Sequence, residues 1–402
     1  MNRKSVLAAG LSAVVLLGAA PAKDPPPIAN YWMDVTTTSG FGAGMTPGGR
    51  PSMSQIMGMM NGGGSAVGHT LDLRLASRTK PTAAPLADHL IPTGLQMGAS
   101  LPLISPTVVR EEPSKGGLPT NFQRPQGRML IYWGCGEHVG PGQPTVIDFS
   151  KVAAGQVPPG MAAMANMAKI VSGPYGAPGF GRWPNNKDSR AVPANGSLLG
   201  AHKVQANYAP PIGFSLAAGQ DFMPGLGLRE AGALPSGATQ LTWQTSPQAT
   251  GYAMAMFGSS GSGDVVMWSS SKTASMVALD YIAPAEVRRL IGIGAVLPPT
   301  ANQCVLPAEV AAAVPMGMVM GIGYGPDADF ADAPKAPKWT AKVRYKSTAT
   351  VMHGMGAMMG AGAGMDGTAP PSGAQQQQPK KKKRGFGLGD IIQGATGIPV
   401  KQ

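Results

Sequence analysis

Charge is scarce in this sequence: Lys, Arg, Asp and Glu make up 13% of its 402 residues, against ~25% in ordinary soluble domains. So little charge does not fit intrinsic disorder, which pairs low hydrophobicity with high net charge. Apolar runs are scarce too. Beyond a stretch at 6–17, no uninterrupted run reaches the ~20 residues that a membrane-spanning helix needs. Cysteine is nearly missing. Cys135 and Cys304 are the two present, and neither directly follows that stretch, which argues against lipoprotein processing. Familiar catalytic motifs are missing as well. None of His69, His89, His138, His202 and His353 sits in an HExxH arrangement, and no serine lies in a GxSxG elbow. Gly292-Ile293-Gly294 and Gly321-Ile322-Gly323 lack the third glycine of a nucleotide loop.

Glycine (57) and proline (39) are abundant instead. Together with the charge shortage they predict a turn-rich, mainly β protein with several irregular segments. Arg3 and Lys4 precede the apolar stretch, and Ala20-Pro21-Ala22 offers small residues where a signal peptidase reads. Residues 1–22 are therefore expected to be a cleavable secretory signal, with the mature chain starting at Lys23. An uncleaved anchor is the alternative, and the stretch is short for that role. The expected location is the periplasm or outer envelope of a bacterium, with no transmembrane segment after cleavage. The formal charge of +12 favours anionic envelope partners, such as lipid headgroups, lipopolysaccharide or acidic glycan. Export removes nucleic acid from that set.

Composition shifts divide the chain. Residues 23–67 read as a Gly/Met-rich arm or linker, in which 31–35 has the makings of one short strand. Residues 68–171 form an N-terminal β region: Leu71, Leu73 and Leu75 alternate with Asp72 and Arg74, the period of a half-buried strand. A short helix is expected at 161–170, rich in Ala, Met and Lys. Residues 172–196 read as a surface loop or linker. Residues 197–350 form a C-terminal β-sandwich, with strands at 203–208 and 212–216 around a Pro210-Pro211 bend and late strands at 317–324 and 339–350. A helix is expected at 284–291, opened by proline. Residues 351–402 form a Met/Gly-rich, polybasic low-complexity tail.

Within that region, Leu241-Thr242-Trp243 followed by Ala249-Thr250-Gly251-Tyr252 resembles the B–C hairpin of a fibronectin type III module. The resemblance implies one or two immunoglobulin-like or fibronectin-like sandwiches, joined by Gly/Pro-rich linkers and flanked by disordered ends. It implies that Trp243 packs under Tyr252, and it implies no particular function.

Candidate chemistry is sparse. In an oxidising compartment Cys135 and Cys304 are expected to form a disulfide tying the two β regions together, the alternative being separate thiols. Glu137-His138 beside Cys135 has the residue types of a nucleophile with its base, but a turn at Gly134 and Gly136 suits a structural disulfide better. Methionine numbers 25. Met352, His353, Met355, Met358 and Met359 combine thioether and imidazole, which suits copper; core filling is the other use of methionine. Lys380, Lys381, Lys382, Lys383 and Arg384 precede Phe386, Leu388, Ile391 and Ile392. That order suits attachment to an anionic surface, or else a solvated tail. The sequence thus points to an exported envelope protein with a non-enzymatic structural or binding role. A periplasmic copper carrier and an enzyme without a recognisable motif are the rivals.

Overall fold

The computed structural model describes residues 25–41, 43, 67–105, 127–153, 173–174 and 177–354. Within them the chain is mainly β. Nine strands form one large sheet, in spatial order β6 (Thr145–Asp148), β5 (Arg128–Trp133), β13 (Val265–Ser269), β12 (Gly251–Ser259), β15 (Gly317–Ala331), β16 (Trp339–His353), β1 (Ala29–Gly40), β2 (Val67–Ser77) and β7 (Gly179–Trp183). A four-stranded sheet has the order β4 (Ser100–Pro102), β3 (Ala87–Leu90), β8 (Gly200–Ala206), β9 (Ala209–Leu216). A three-stranded sheet has the order β10 (Arg229–Ala233), β11 (Thr239–Thr242), β14 (Gln303–Leu306). The helices are short: α1 (Phe149–Ala153), α2 (Pro284–Gly292) and α3 (Ala308–Ala313).

Alternation along the central strands explains the layering. In β1, Ala29, Tyr31, Met33 and Val35 are buried on one face, while Asn30, Trp32, Asp34 and Thr36 take the other. β16 lies parallel to β1, Ala29 opposite Trp339 through Gly40 opposite Thr350, so Val343 and Tyr345 join the first face and Lys342, Arg344 and Lys346 the second. Both small sheets pack on the first face. There Tyr31, Leu73, Leu75, Leu101, Ile212, Leu241, Trp268 and Leu306 form one continuous core.

The second face is divided. Over β12 and β15 it is apolar and covered: Val287 and Leu290 of α2, with Val296, pack on Ala253, Ile322 and Tyr324. Over β16, β1, β2 and β7 it is charged. A β-bulge between Tyr324 and Asp327 makes the change possible. Its extra residue shifts the side-chain parity, so Asp327 and Asp329 come to the same face as Ile322 and Tyr324.

Three expectations need correction. Ala29–Gly40, inside the segment read as an arm, is a twelve-residue strand paired on both sides. Gly179–Trp183, inside the segment read as a loop, is an edge strand on β2. The glycines that suggested a loop are what let it approach: a Cβ on Gly179 would stand 2.5 Å from the Tyr208 ring, and one on Gly181 2.8 Å from the Leu103 carbonyl oxygen. Pro210-Pro211 is not the bend. The turn is Asn207-Tyr208, and the prolines sit in β9 at the edge of its sheet, where no ladder donor is needed.

The N-terminal and C-terminal β regions also share the large sheet, with β5 beside β13, and β1 from the arm segment lies beside β16. Trp243 and Tyr252 do meet, at 5.7 Å between ring centroids, but β11 and β12 belong to different sheets. The expected helix at 284–291 is α2, with Pro284 in its first turn. The helix expected at 161–170 and the signal segment 1–22 lie outside the described residues.

Candidate functional site

The charged half of the second face is built from one register. Asp34 of β1 stands opposite both Asp72 of β2 and Arg344 of β16. Arg344 grips Asp34 through two hydrogen bonds of 2.6 and 2.5 Å, and both residues are buried. The Arg344 guanidinium lies between two aromatic rings, 4.6 Å from the centroid of Trp32 and 4.4 Å from that of Tyr281. Burial pushes the Asp34 carboxyl up, and Arg344 draws it only part of the way back. Lys346 also lies over the Tyr281 ring, at 4.1 Å, and binds Asp280 at 2.6 Å. Burial pushes Asp280 up, yet Lys346, the Tyr281 N–H and Arg344 together outweigh it and hold the carboxyl below its usual range.

Flanking pairs extend the band. Asp72 takes bidentate bonds from both Arg74 and Arg182. Lys342 bridges Asp327 and Asp329. Cations and carboxylates alternate, so the band carries little net charge despite the basic chain. Gly173 approaches one end, where a Cβ would meet the Arg74 guanidinium at 2.5 Å. Such a surface presents charged donors, charged acceptors and the partly exposed ring of Trp32 side by side.

A second polar constellation is sealed in the core between the large and four-stranded sheets. The Tyr31 hydroxyl is 2.8 Å from His89 Nδ1, His89 Nε2 is 3.0 Å from His202 Nδ1, and His202 Nε2 is 2.7 Å from the Leu198 carbonyl oxygen. All three side chains are buried. Burial lowers both imidazoles below their usual range, His89 strongly, with His202 beside it adding to the effect. Phe214 stacks on His202 and Phe330 on Phe214, each at 5.1 Å.

Of the residues singled out from sequence, Cys135 and Cys304 are joined as a disulfide, Cα to Cα 5.2 Å, between the turn after β5 and the strand β14. Cys135 is therefore no thiolate nucleophile, and His138 binds Glu309 at 3.0 Å on the surface. Met352 and His353 point to opposite faces of β16. Met352 faces Met318 across the strands, whereas His353 binds Glu230 of β10. The two do not converge on one point. Met355, Met358, Met359 and Lys380 to Arg384 lie outside the described residues.

The constellations that sequence reading missed join residues far apart: 310 positions for Asp34 and Arg344, 113 for His89 and His202. One local signal was available. Asp34 interrupts an otherwise apolar run from Tyr31 to Val35, and a carboxylate there needs a buried cation. No family model matches the chain, and neither the curated proteins nor the solved structures compared with it contain a match.

Proposed function

We propose that this chain is an exported, envelope-associated bacterial protein with a structural or binding role rather than a catalytic one. The observation that carries this reading is the Cys135–Cys304 disulfide. It spans 169 residues and belongs with an oxidising compartment, as does the signal-like segment at 1–22. The charged band with Trp32 at its edge is the surface we assign to binding, and its balance of charge suits a polar partner more than a polyanion. Attachment to an anionic surface then falls to Lys380–Arg384 and the apolar residues after them. Cations beside an anionic bilayer contribute about 1 kcal/mol each, attenuated by salt. The contact of Trp243 with Tyr252 supports a fibronectin-like lineage for 241–257, which would leave the role unchanged.

Sedimentation with anionic and neutral vesicles tests the attachment. The mature chain should bind anionic vesicles in low salt and lose binding as salt rises, and a version ending at Pro379 should not bind. Equal binding by both versions contradicts the assignment. The copper reading keeps one supporting observation, the thioethers of Met318 and Met352 opposite each other across β15 and β16. Metal analysis of protein from copper-supplemented cells decides it.

A further inference from the structure

We propose that Tyr31, His89 and His202 form an acid-operated latch, which holds the four-stranded sheet on the nine-stranded sheet while neutral and releases it on protonation. The hydrogen-bond order is set from one end. The Leu198 carbonyl can only accept, so His202 Nε2–H donates to it and His202 Nδ1 is left as an acceptor. His89 Nε2–H must then donate to His202 Nδ1, which leaves His89 Nδ1 to accept from the Tyr31 hydroxyl. Each ring nitrogen and each of the three protons has its partner in this one arrangement. The anchoring carbonyl is itself positioned, because Asp221 binds the Leu198 N–H at 2.9 Å and the Ser197 hydroxyl at 2.6 Å.

At either accepting nitrogen, His89 Nδ1 or His202 Nδ1, an added proton meets a donor. On His202 Nδ1 it would face the N–H of His89 across 3.0 Å. That clash is avoided only if His89 and Tyr31 both reverse, and the Tyr31 proton then loses its one acceptor among the described residues, in a fully buried site. Among the described residues the charge would lack a counter-ion as well. The four-stranded sheet offers Phe214 from β9, and β15 offers Phe330. Asp34 and Asp72 lie on the opposite face of the large sheet, and Asp221 is engaged at Leu198 and Ser197. Once the layers part, both imidazoles regain water and their ordinary affinity for protons. Acid therefore favours the parted state. The latch is closed above about pH 6.5, the ordinary histidine value, and is progressively opened below it.

Hydrogen exchange of the mature chain at pH 7.5 and pH 5, corrected for the intrinsic rate, tests this. Amides of β3, β8 and β9 should lose roughly tenfold or more of their protection at the lower pH, since each imidazole that titrates near 6.5 only in the parted state contributes up to about thirtyfold over that interval. Those of β15 and β16 should keep theirs. In His89→Leu/His202→Gln, where the introduced glutamine is meant to retain a donor for the Leu198 carbonyl, the selective loss should disappear. Nitrogen NMR of the unsubstituted chain gives an answer even if that variant does not fold. Both imidazoles should carry their proton on Nε2 at pH 7.5 and become charged together with the loss of protection. Uniform loss over all sheets, unchanged loss in the double variant, or an Nδ1–H tautomer for either histidine would overturn the proposal.

Discussion

Arg344 shows how a single residue organises the charged half of the large sheet. It is buried with Asp34 and stacked between Trp32 and Tyr281, so its removal leaves a carboxylate in a dry site. A buried pair adds little to stability over a well-packed apolar pair, but breaking one side of it costs about 3–5 kcal/mol. Arg344→Met should therefore lower the urea stability by about that much. Asp34→Leu/Arg344→Met should recover most of the loss, and two additive losses would show that Asp34 is not the residue stranded. The exposed pairs, such as Arg289 with Glu286, belong to another class: solvent screens them, and breaking one strands no charge in a dry site. At this scale the sequence was legible where periodicity speaks, as at Leu71, Leu73 and Leu75. It was silent on Tyr31, His89 and His202, because nothing local marks three residues from three strands as partners.

At the scale of elements, turn residues had a double meaning that sequence alone did not resolve. Proline marked the start of α2 correctly, but Pro210-Pro211 drew the bend a few residues past its true place at Asn207-Tyr208. Glycine misled at Gly179–Trp183, where it serves close packing beneath Tyr208 rather than a turn. The arm reading failed at β1 for a related reason. Its ends, Asp24-Pro25-Pro26-Pro27 and the glycines from Gly40 onward, hid a strand one of whose two partners lies 310 residues away. Gly40 itself is fixed by geometry, with φ +77° and no room for a Cβ beside the Thr350 carbonyl. The disulfide belongs to this scale too, since it staples the turn after β5 to β14 of the three-stranded sheet. Closing a loop of 169 residues restricts the unfolded chain by up to about 5 kcal/mol on the chain-entropy model. Cys135→Ser/Cys304→Ser should lose several kcal/mol in denaturant titration, as should the reduced protein. A loss confined to the local environment of Cys135, with global stability unchanged, would mean that the three-stranded sheet does not unfold with the rest.

Among the described residues, the first strand, β1, pairs with the last, β16. β1 and β16 lie side by side in the interior of the large sheet, and both small sheets rest on the face they share. The large sheet cannot be completed until β16 is made, and contacts of such sequence separation make folding slow. Slow folding and the disulfide are both compatible with the export proposed above. The mainly β class was readable from turns and alternation. The layering was not, because the strands of one sheet come from both halves of the chain. Export remains the claim from which binding role, redox state and envelope attachment all follow. It is tested most directly by fractionating producing cells and sequencing the N-terminus of the protein in each fraction under thiol-blocking conditions. The mature chain should begin at Lys23, lie outside the cytoplasm and carry the Cys135–Cys304 cross-link. Protein retaining Met1, confined to the cytoplasm and with both thiols alkylatable, would contradict it.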